Sequence, residues 1–130
     1  MKISRAKLYS FPVRAETEWL ILEIYSECNQ KGFSELTMSN YSKNNQLEIA
    51  LNKSLKKLSG IDIYNDNQIS ELIHNEEAYT NLAIATSISG IRSACLDIFA
   101  KKESKSIKEY LKNLFSLPSS SLNRIKLYAN

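Results

Sequence analysis

The sequence has 130 residues, of which 43% are hydrophobic and 24% charged, and its formal net charge is +3. This composition is typical of a single globular domain and argues against intrinsic disorder. Because the small positive charge is spread among acidic side chains, we expect no nucleic-acid partner. We find no run of about 18 apolar residues and no apolar signal core at the start, so we expect a cytoplasmic protein without a membrane partner.

The first third of the chain predicts three β-strands. Lys2–Val13 mixes apolar and polar residues without a helix cap, and Pro12 should end this strand or place it at a sheet edge, because proline has no N–H for the ladder. Trp19–Ser26 is dense in β-branched and aromatic residues. Asn29–Gly32 supplies turn residues that close with a glycine, and Phe33–Met38 follows as the third strand. We therefore expect a small antiparallel meander.

The rest of the chain predicts helices. Asn45, with Glu48 three residues later, stands at a capping-box position before a helix that should run to about Ser59, and Gly60 is placed to end it. A short second helix follows, capped by Asn65 or Asp66. After a long central helix, Lys105–Phe115 predicts one more short helix.

The central helix is predicted over Asn81–Lys101, where apolar residues recur at steps of three and four. Gly90 costs about 1 kcal/mol relative to alanine in a helix interior, so we expect close approach of another element to compensate. A largely buried helix is our interpretation, and an ordinary amphipathic surface helix is the alternative. The apolar stripe consists of Leu82, Ala85, Ile88, Ile91, Cys95, Ile98 and Phe99, and the small residues opposite are Ser87, Ser89, Gly90, Ser93 and Ala94.

The sequence offers few groups for chemistry. His74 is the single histidine, and without ligand partners in helical register we expect it at the surface or partly packed. Glu76 and Glu77 are adjacent, so on a helix they point to different sides and make a shared metal site improbable. Cys28 and Cys95 lack metal-ligand spacing and are expected to be buried free thiols. Nucleotide-binding, zinc-protease and serine-hydrolase motifs are absent. We therefore predict no catalytic and no metal-binding residue in this chain.

The central helix also carries a family resemblance. Ser89–Ile91, Ala94, Leu96–Ile98 and Lys101 are similar, in order and spacing, to the signature helix of the amino-terminal domain in the enolase superfamily. The resemblance is to the mandelate racemase and muconate-lactonizing branch. Arg92 departs from it, because the family pattern usually has an acid at that position.

Shorter matches extend the resemblance along the chain. Gly32 and Glu35 resemble the family's turn between its second and third strands, with Ser34 in place of a glycine. Gly60–Asp62 resembles a family turn of the form G-x-D, and the predicted helix at Lys105–Phe115 resembles the family's last short helix before the barrel.

The resemblance implies an α+β fold, with a three-stranded antiparallel meander followed by a bundle of three to four helices. Residues 1–117 would form a capping domain, and 118–130 a linker and the first strand of a (β/α)₈ barrel that the chain lacks. Such a barrel needs about 250 residues and carries the catalytic groups. In this family Mg²⁺ stabilises an enediolate while a Lys or His removes a proton α to a carboxylate. Racemases, cycloisomerases and sugar-acid dehydratases share this chemistry. The Mg²⁺ would therefore belong to the missing barrel.

The resemblance further implies two substrate-specificity segments, Arg14–Glu18 and Ser39–Asn44. The first is short, as in the sugar-acid dehydratases. Carboxylates simply exposed to solvent are the alternative for its two glutamates. The candidate residues are Arg14, Ala15, Glu16, Thr17, Glu18, Ser39, Asn40 and Tyr41.

The expected partners are the missing barrel domain and further copies of the chain, because surface meant for the barrel would be uncovered. The alternative function is a stand-alone α+β protein-interaction module without catalysis. The departures from the family pattern would then reflect lost constraint.

Overall fold

Three antiparallel strands and four α-helices make up the described part of the protein, which a computed structural model covers for residues 1–14, 17–37 and 45–116. The strands are β1 (Ile3–Arg14), β2 (Thr17–Ser26) and β3 (Lys31–Leu36). They form one sheet in the order β1-β2-β3, with both pairs antiparallel. The predicted meander is confirmed.

The helices follow the sheet in the chain, as the α+β prediction requires. They are α1 (Gln46–Leu58), α2 (Asp66–Ile73), α3 (Leu82–Lys102) and α4 (Ile107–Leu114), and a short 3₁₀ turn at Glu76–Tyr79 precedes α3. Residues 117–130, which hold the predicted linker and barrel strand, lie outside the described residues.

The turn between β2 and β3 lies earlier than the sequence predicts. Residues 27–30 make this turn, with Asn29 at a positive φ of 61°. Gly32 was predicted to close the turn, but it lies inside β3 and pairs with Ile24 of β2. β1 continues past Pro12 to Arg14, which the ladder tolerates because β1 is an edge strand.

Most of the helix ends are capped by the residues that the sequence predicts. Asn65 accepts a hydrogen bond from the Gln68 N–H at 2.9 Å and caps α2. Gly60 ends α1 with a φ of +74°, a conformation that glycine adopts without strain. The prediction for Asn45 is wrong, because its side chain makes no capping hydrogen bond to α1.

The central helix α3 packs on β3, β2 and α1, so its prediction as a buried core helix is confirmed. The face turned to the sheet differs from the predicted apolar stripe. Ser87, Gly90 and Ala94 from the small-residue side are buried, whereas Leu82 at the start of the stripe is 58% exposed. Small side chains face the sheet because they let the two backbones approach closely. The main core cluster is completed by leucines and isoleucines of β2 and the first two helices.

By length and composition alone, α3 could also cross a membrane, since its most apolar 18-residue window has a mean hydropathy of 1.4. The search for apolar runs missed this helix because Arg92 and Asp97 interrupt it. Core helices of soluble proteins pass the same test, and 44% of that window is buried inside this domain. The hydropathy of α3 is therefore weak evidence for a membrane.

Both cysteines are free, as predicted, but only one is buried. Cys95 lies in the core on α3, where burial raises the pKa of its thiol to about 12. Cys28 is exposed because it falls in the turn after β2 and not in the strand. The expectation of two buried thiols is therefore wrong for Cys28.

Candidate functional site

The residues that carry the family resemblance hold α3 against β3. At Gly32, an added Cβ would lie 1.9 Å from the carbonyl oxygen of Ala94. No real Cβ fits at that distance, so glycine is required where the backbone of the helix touches the strand. The glycine therefore serves packing between two elements and not the shape of a turn.

An ion pair on α3 also holds the helix against β3. Asp97 is 9% exposed and accepts a hydrogen bond from the Phe33 N–H at 3.0 Å. Lys101 donates to the same carboxylate at 2.6 Å and to the carbonyl oxygen of Lys31 at 2.8 Å. Because both side chains bind β3, these two residues of the signature helix have a structural role.

Ser34, which replaces a family glycine, also binds α3. Its hydroxyl donates to the carbonyl oxygen of Gly90 at 2.8 Å in a buried environment. An added Cβ at Gly90 would lie 2.0 Å from a terminal methyl of Leu36. The predicted close approach at Gly90 is thus confirmed, and a leucine side chain of β3 makes it.

Arg92, the other departure from the family pattern, is matched by an acid on α2. Its Nε lies 2.9 Å from Oδ1 of Asp66, and its Nη2 binds the second carboxylate oxygen. The Asp66 hydrogen bond raises the pKa of Arg92, and the Asp66 side chain is only 6% exposed. Sequence reasoning considered Asp66 only as a helix cap. Because the two residues are 26 positions apart in the chain, no local pattern could reveal the pair.

An open groove of about 530 Å³ lies beside this ion pair, between α3 and the segment from α2 to the 3₁₀ turn. His74 lines this groove and is exposed, in agreement with its predicted surface position. Glu76 and Glu77 belong to the 3₁₀ turn and are also exposed. Within residues 1–14, 17–37 and 45–116, no three acidic, histidine or cysteine side chains are grouped so that they could hold a metal ion.

The described residues of the first predicted specificity segment lie in paired strands. Arg14 ends β1 and pairs with Thr17, so only residues 15 and 16 lie between the strands. Glu18 pairs with Pro12 and accepts a hydrogen bond from the Ser10 hydroxyl. The prediction of a loop over Arg14–Glu18 is therefore wrong at both ends. The remaining predicted site residues lie outside the described part of the chain, namely Ala15, Glu16, Ser39, Asn40 and Tyr41.

The two predicted specificity segments start from the same end of the sheet. β1 and β3 both run toward this end, and β2 starts from it. The last pair between β2 and β3 joins Leu20 to Leu36, whereas β1 and β2 remain paired out to Arg14. Three residues of β2, from Thr17 to Trp19, lie beyond Leu20. Three residues of strand correspond to about 10 Å, so the β1–β2 ribbon projects by roughly that distance beyond β3.

The side of the sheet turned away from α3, which we call the outer face, was not predicted as a site. The strand register places eleven side chains on it. The helices of the described chain pack on the opposite side, against Leu20, Leu22 and Ile24. The outer face consists of Arg5, Lys7, Tyr9, Phe11, Trp19, Ile21, Glu23, Tyr25, Lys31, Phe33 and Glu35.

Glu23 is a buried carboxylate in the middle of the outer face, with 4% exposure. It accepts a hydrogen bond from the Tyr9 hydroxyl at 2.7 Å, and the Lys31 ammonium lies 3.3 Å away. Burial alone would raise the pKa of Glu23, but hydrogen bonds from Tyr9, Tyr25 and Lys31 lower it below the ordinary value. Glu23 is therefore ionised at neutral pH and already has partners within its own chain.

This fold is similar to one part of several solved enolase-superfamily structures. One of them is an enolase and candidate galactarate dehydratase from Agrobacterium radiobacter, solved with sodium and L-malate. The match covers 85% of this chain and 28% of that chain, at 19% identity and a TM-score of 0.70. An enolase from Sargasso Sea environmental sequencing matches 78% of this chain with 29% of its own, at 19% identity and a TM-score of 0.67. A mandelate racemase/muconate lactonizing enzyme from a Jannaschia species matches 79% of this chain with 28% of its own, at 15% identity and a TM-score of 0.64.

These likenesses confirm the family resemblance at the level of the fold. The chain has an enolase-superfamily fold and spans 28–29% of the length of the structures it matches. No protein-family model matches the sequence, and no curated protein matches it.

Proposed function

We propose that this chain is the capping domain of an enolase-superfamily enzyme of the mandelate racemase/muconate-lactonizing type. The single observation that supports this most is the asymmetry of the structural matches. They cover 78–85% of this chain but only 28–29% of the enolase-superfamily chains. A domain that reproduces one part of these enzymes so fully would act together with the remaining part, the barrel.

The projecting end of the sheet is the surface that would close the barrel mouth. Arg14 is exposed at the tip of the β1–β2 ribbon. A guanidinium forms strong paired hydrogen bonds with a carboxylate, which is the group that substrates of this chemistry carry. Arg14 would therefore help to bind and orient the substrate carboxylate, while the segment Ser39–Asn44 would shape the rest of the opening.

The proton-abstraction chemistry itself would reside in the barrel. When bound there, Mg²⁺ would stabilise the negative charge that develops on the substrate carboxylate as the α-proton leaves. The described residues of this chain offer no cluster that fits a metal ion. The role of this domain would be to exclude water from the barrel mouth and to select among carboxylate substrates.

The test is to read the natural coding frame past Asn130 and to assay the protein it encodes. We expect a barrel with a Lys-x-Lys at one strand end and acidic residues at three successive strand ends. The assay follows exchange of the α-proton of a panel of sugar acids and other α-hydroxy acids in D₂O with Mg²⁺. Activity in this assay would support the proposal. A native stop codon after Asn130, with no separate barrel subunit co-purifying, would contradict it and favour the interaction module.

A variant tests the role of the ribbon. Arg14→Ala should lower kcat/KM for the preferred carboxylate by about tenfold, equivalent to about 1.4 kcal/mol, mainly through a higher KM. Lys108→Ala is the matched control, because Lys108 is an exposed cation on α4. Equal activity of the two variants would show that the ribbon tip does not contact the substrate.

A further inference from the structure

We propose that the free edge of β1 is a docking site for an extended segment of a separate protein. This segment adds to the sheet as a fourth strand and carries alternating acidic and apolar side chains. The site is the groove between the edge of β1 and α1, which we call the edge groove. The proposal rests on the unpaired backbone groups of β1, on the apolar lining of the groove and on its unpaired cations.

The two edges of the sheet differ, and side chains of α3 close the edge at β3. The Phe33 N–H donates to Asp97 at 3.0 Å, and the Lys31 carbonyl oxygen accepts from Lys101 at 2.8 Å. Both backbone groups therefore point away from β2. Because they are already bonded to α3, they are not available to another strand.

The register of the sheet shows which backbone groups β1 leaves open. Because the Phe33 N–H faces away from β2, its pairing partner Glu23 directs its own backbone groups at β1. Glu23 pairs with Lys7, which is therefore bonded to β2. Bonding alternates along a strand, so Ala6 and Leu8 direct their N–H and C=O groups at the free edge. These groups have no hydrogen-bond partner among the described residues.

The edge groove lies directly beside these free backbone groups. It consists of two adjoining hollows of about 280 and 220 Å³, which share Ala6 and Leu55. Leu51 lines it and is buried, whereas Ala6, Leu8 and Leu55 are only partly buried against the core. Apolar side chains of an added strand would complete their burial. They would do so at every second position, because successive side chains of a strand point to opposite faces.

Unpaired cations favour acidic side chains at the remaining positions of the added strand. Lys7 and Lys56 line the groove, are exposed and have no carboxylate partner among the described residues. With Arg5, the lining holds three cations and one carboxylate, Glu48. A carboxylate of the added strand that lies opposite Lys7, on the outer face, would form a favourable cross-strand pair with its ammonium.

The same charges argue against a second copy of this chain at this edge. Two β1 strands paired edge to edge would bring Arg5 and Lys7 of one copy close to the same cations of the other. Like charges opposite each other destabilise a pair of strands. The edge groove therefore fits a segment whose charge is opposite to that of β1.

The edge groove lies apart from the projecting end of the sheet. Arg14 follows Ala6 by eight positions of β1, which corresponds to roughly 26 Å of strand. Pro12 lies between them and has no N–H to offer, so the added strand should end before it. The proposal therefore goes beyond the capping function and does not depend on the barrel.

A peptide probe tests the site. Fluorescence anisotropy follows the binding of fluorescein-labelled Glu-Val-Glu-Val-Glu-Val-Glu to the 130-residue chain. We expect saturable binding with a dissociation constant in the micromolar range. The same peptide with lysine in place of each glutamate should bind at least about tenfold more weakly, because its ammonium groups would meet Lys7.

N-methylated peptides test the backbone pairing. If a glutamate lies opposite Lys7, the valines lie opposite Ala6 and Leu8 and direct their N–H groups at β1. Methylation of the central valine amide should therefore weaken binding by at least about tenfold, because main-chain hydrogen bonds supply the affinity of an added strand. Methylation of the next glutamate amide, which points away from β1, should change the dissociation constant by less than about twofold.

Matched variants of the chain test the role of the cations. Lys7→Glu should weaken binding of the acidic peptide by at least about tenfold and strengthen binding of the lysine peptide. Lys108→Glu is the control, because Lys108 is an exposed cation of α4 that does not line the edge groove. Circular dichroism establishes that both variants are folded, and Lys56→Glu replaces Lys7→Glu if the latter is not.

Several results would overturn the proposal. They are an acidic peptide that does not bind saturably, two N-methylated peptides that bind equally, and a folded Lys7→Glu variant that binds the acidic peptide as tightly as Lys108→Glu. A dimer of the free chain that the peptide dissociates would assign the edge to a second copy, and it would also overturn the proposal. None of these results depends on whether the chain acts with a barrel, so failure of the docking site and failure of the proposed function can be distinguished.

Discussion

At the scale of single residues, the family-like positions contribute to this domain through packing and hydrogen bonds. Gly32 allows the strand to touch the helix backbone, and Asp97 with Lys101 ties the helix to the strand. The departures from the family pattern also have partners. Ser34 binds the Gly90 carbonyl oxygen, and Arg92 binds Asp66. Both of these departures therefore make a specific contact between two elements of the folded chain.

The two close-packed glycines should differ in their sensitivity to a methyl group. Gly32→Ala directs the new Cβ at the Ala94 carbonyl oxygen, which is backbone and cannot move aside. We expect a loss of about 3 kcal/mol in the free energy of unfolding. Gly90→Ala meets only a side-chain methyl of Leu36 and gains about 1 kcal/mol in helix propensity, so its net loss should be smaller.

Urea denaturation of both glycine variants measures this difference. Ser93→Ala, at an exposed position of α3, serves as the control for a substitution that meets no neighbour. A Gly32→Ala variant with the midpoint of the control would show that helix and strand are farther apart than described.

The two thiols should differ in reactivity. Cys28 is exposed, whereas Cys95 is buried with a pKa raised to about 12 by the loss of hydration. Only a thiolate attacks a disulfide reagent, so one thiol per chain should react at pH 8 in the native protein and two in denaturant. Cys28→Ser should abolish the native reaction, and a fast native reaction that persists in this variant would contradict the burial of Cys95.

At the scale of elements, α3 organises the domain because strands and helices both pack against it. It contacts β2 and β3 on one side and α1, α2 and α4 elsewhere. Among the described residues, no helix packs on the outer face of the sheet.

The start of α3 should depend on its cap. The Asn81 side chain accepts hydrogen bonds from the N–H groups of Ala83 and Ile84 at 3.0 and 3.3 Å. Asn81→Ala should lower the free energy of unfolding by about 1 kcal/mol. Asn45→Ala is the matched control, because Asn45 precedes α1 without a side-chain capping bond. Thermal denaturation compares the two variants. Equal losses in the free energy of unfolding would mean that the capping hydrogen bonds of Asn81 do not stabilise the protein.

At the scale of the whole molecule, the described residues combine a projecting end of the sheet with an aromatic outer face, and they hold no group of three side chains that could bind a metal ion. The two candidate specificity segments leave the sheet at one end, and the aromatic outer face lies on its side.

The isolated 130-residue chain should bind Mg²⁺ weakly and should not exchange the α-proton of a carboxylic acid. The physical reason is that Mg²⁺ needs several oxygen ligands near ideal octahedral geometry, and no group of three candidate side chains occurs in the described ranges. Calorimetric titration with Mg²⁺ is the measurement, and Ca²⁺ is the comparison ion. A defined site with micromolar affinity for Mg²⁺ would contradict this expectation.

The sequence by itself determined the order of the elements, most caps and the family fold. These features follow from local patterns, such as the apolar period of α3, the β-branched run of β2 and the φ that Gly60 can adopt. Three other features depended on tertiary structure. They are the location of Gly32 inside β3, the ion pair of Asp66 with Arg92 and the aromatic outer face. Each joins residues of different elements, and strand register and helix packing, which a single sequence does not encode locally, decide such contacts.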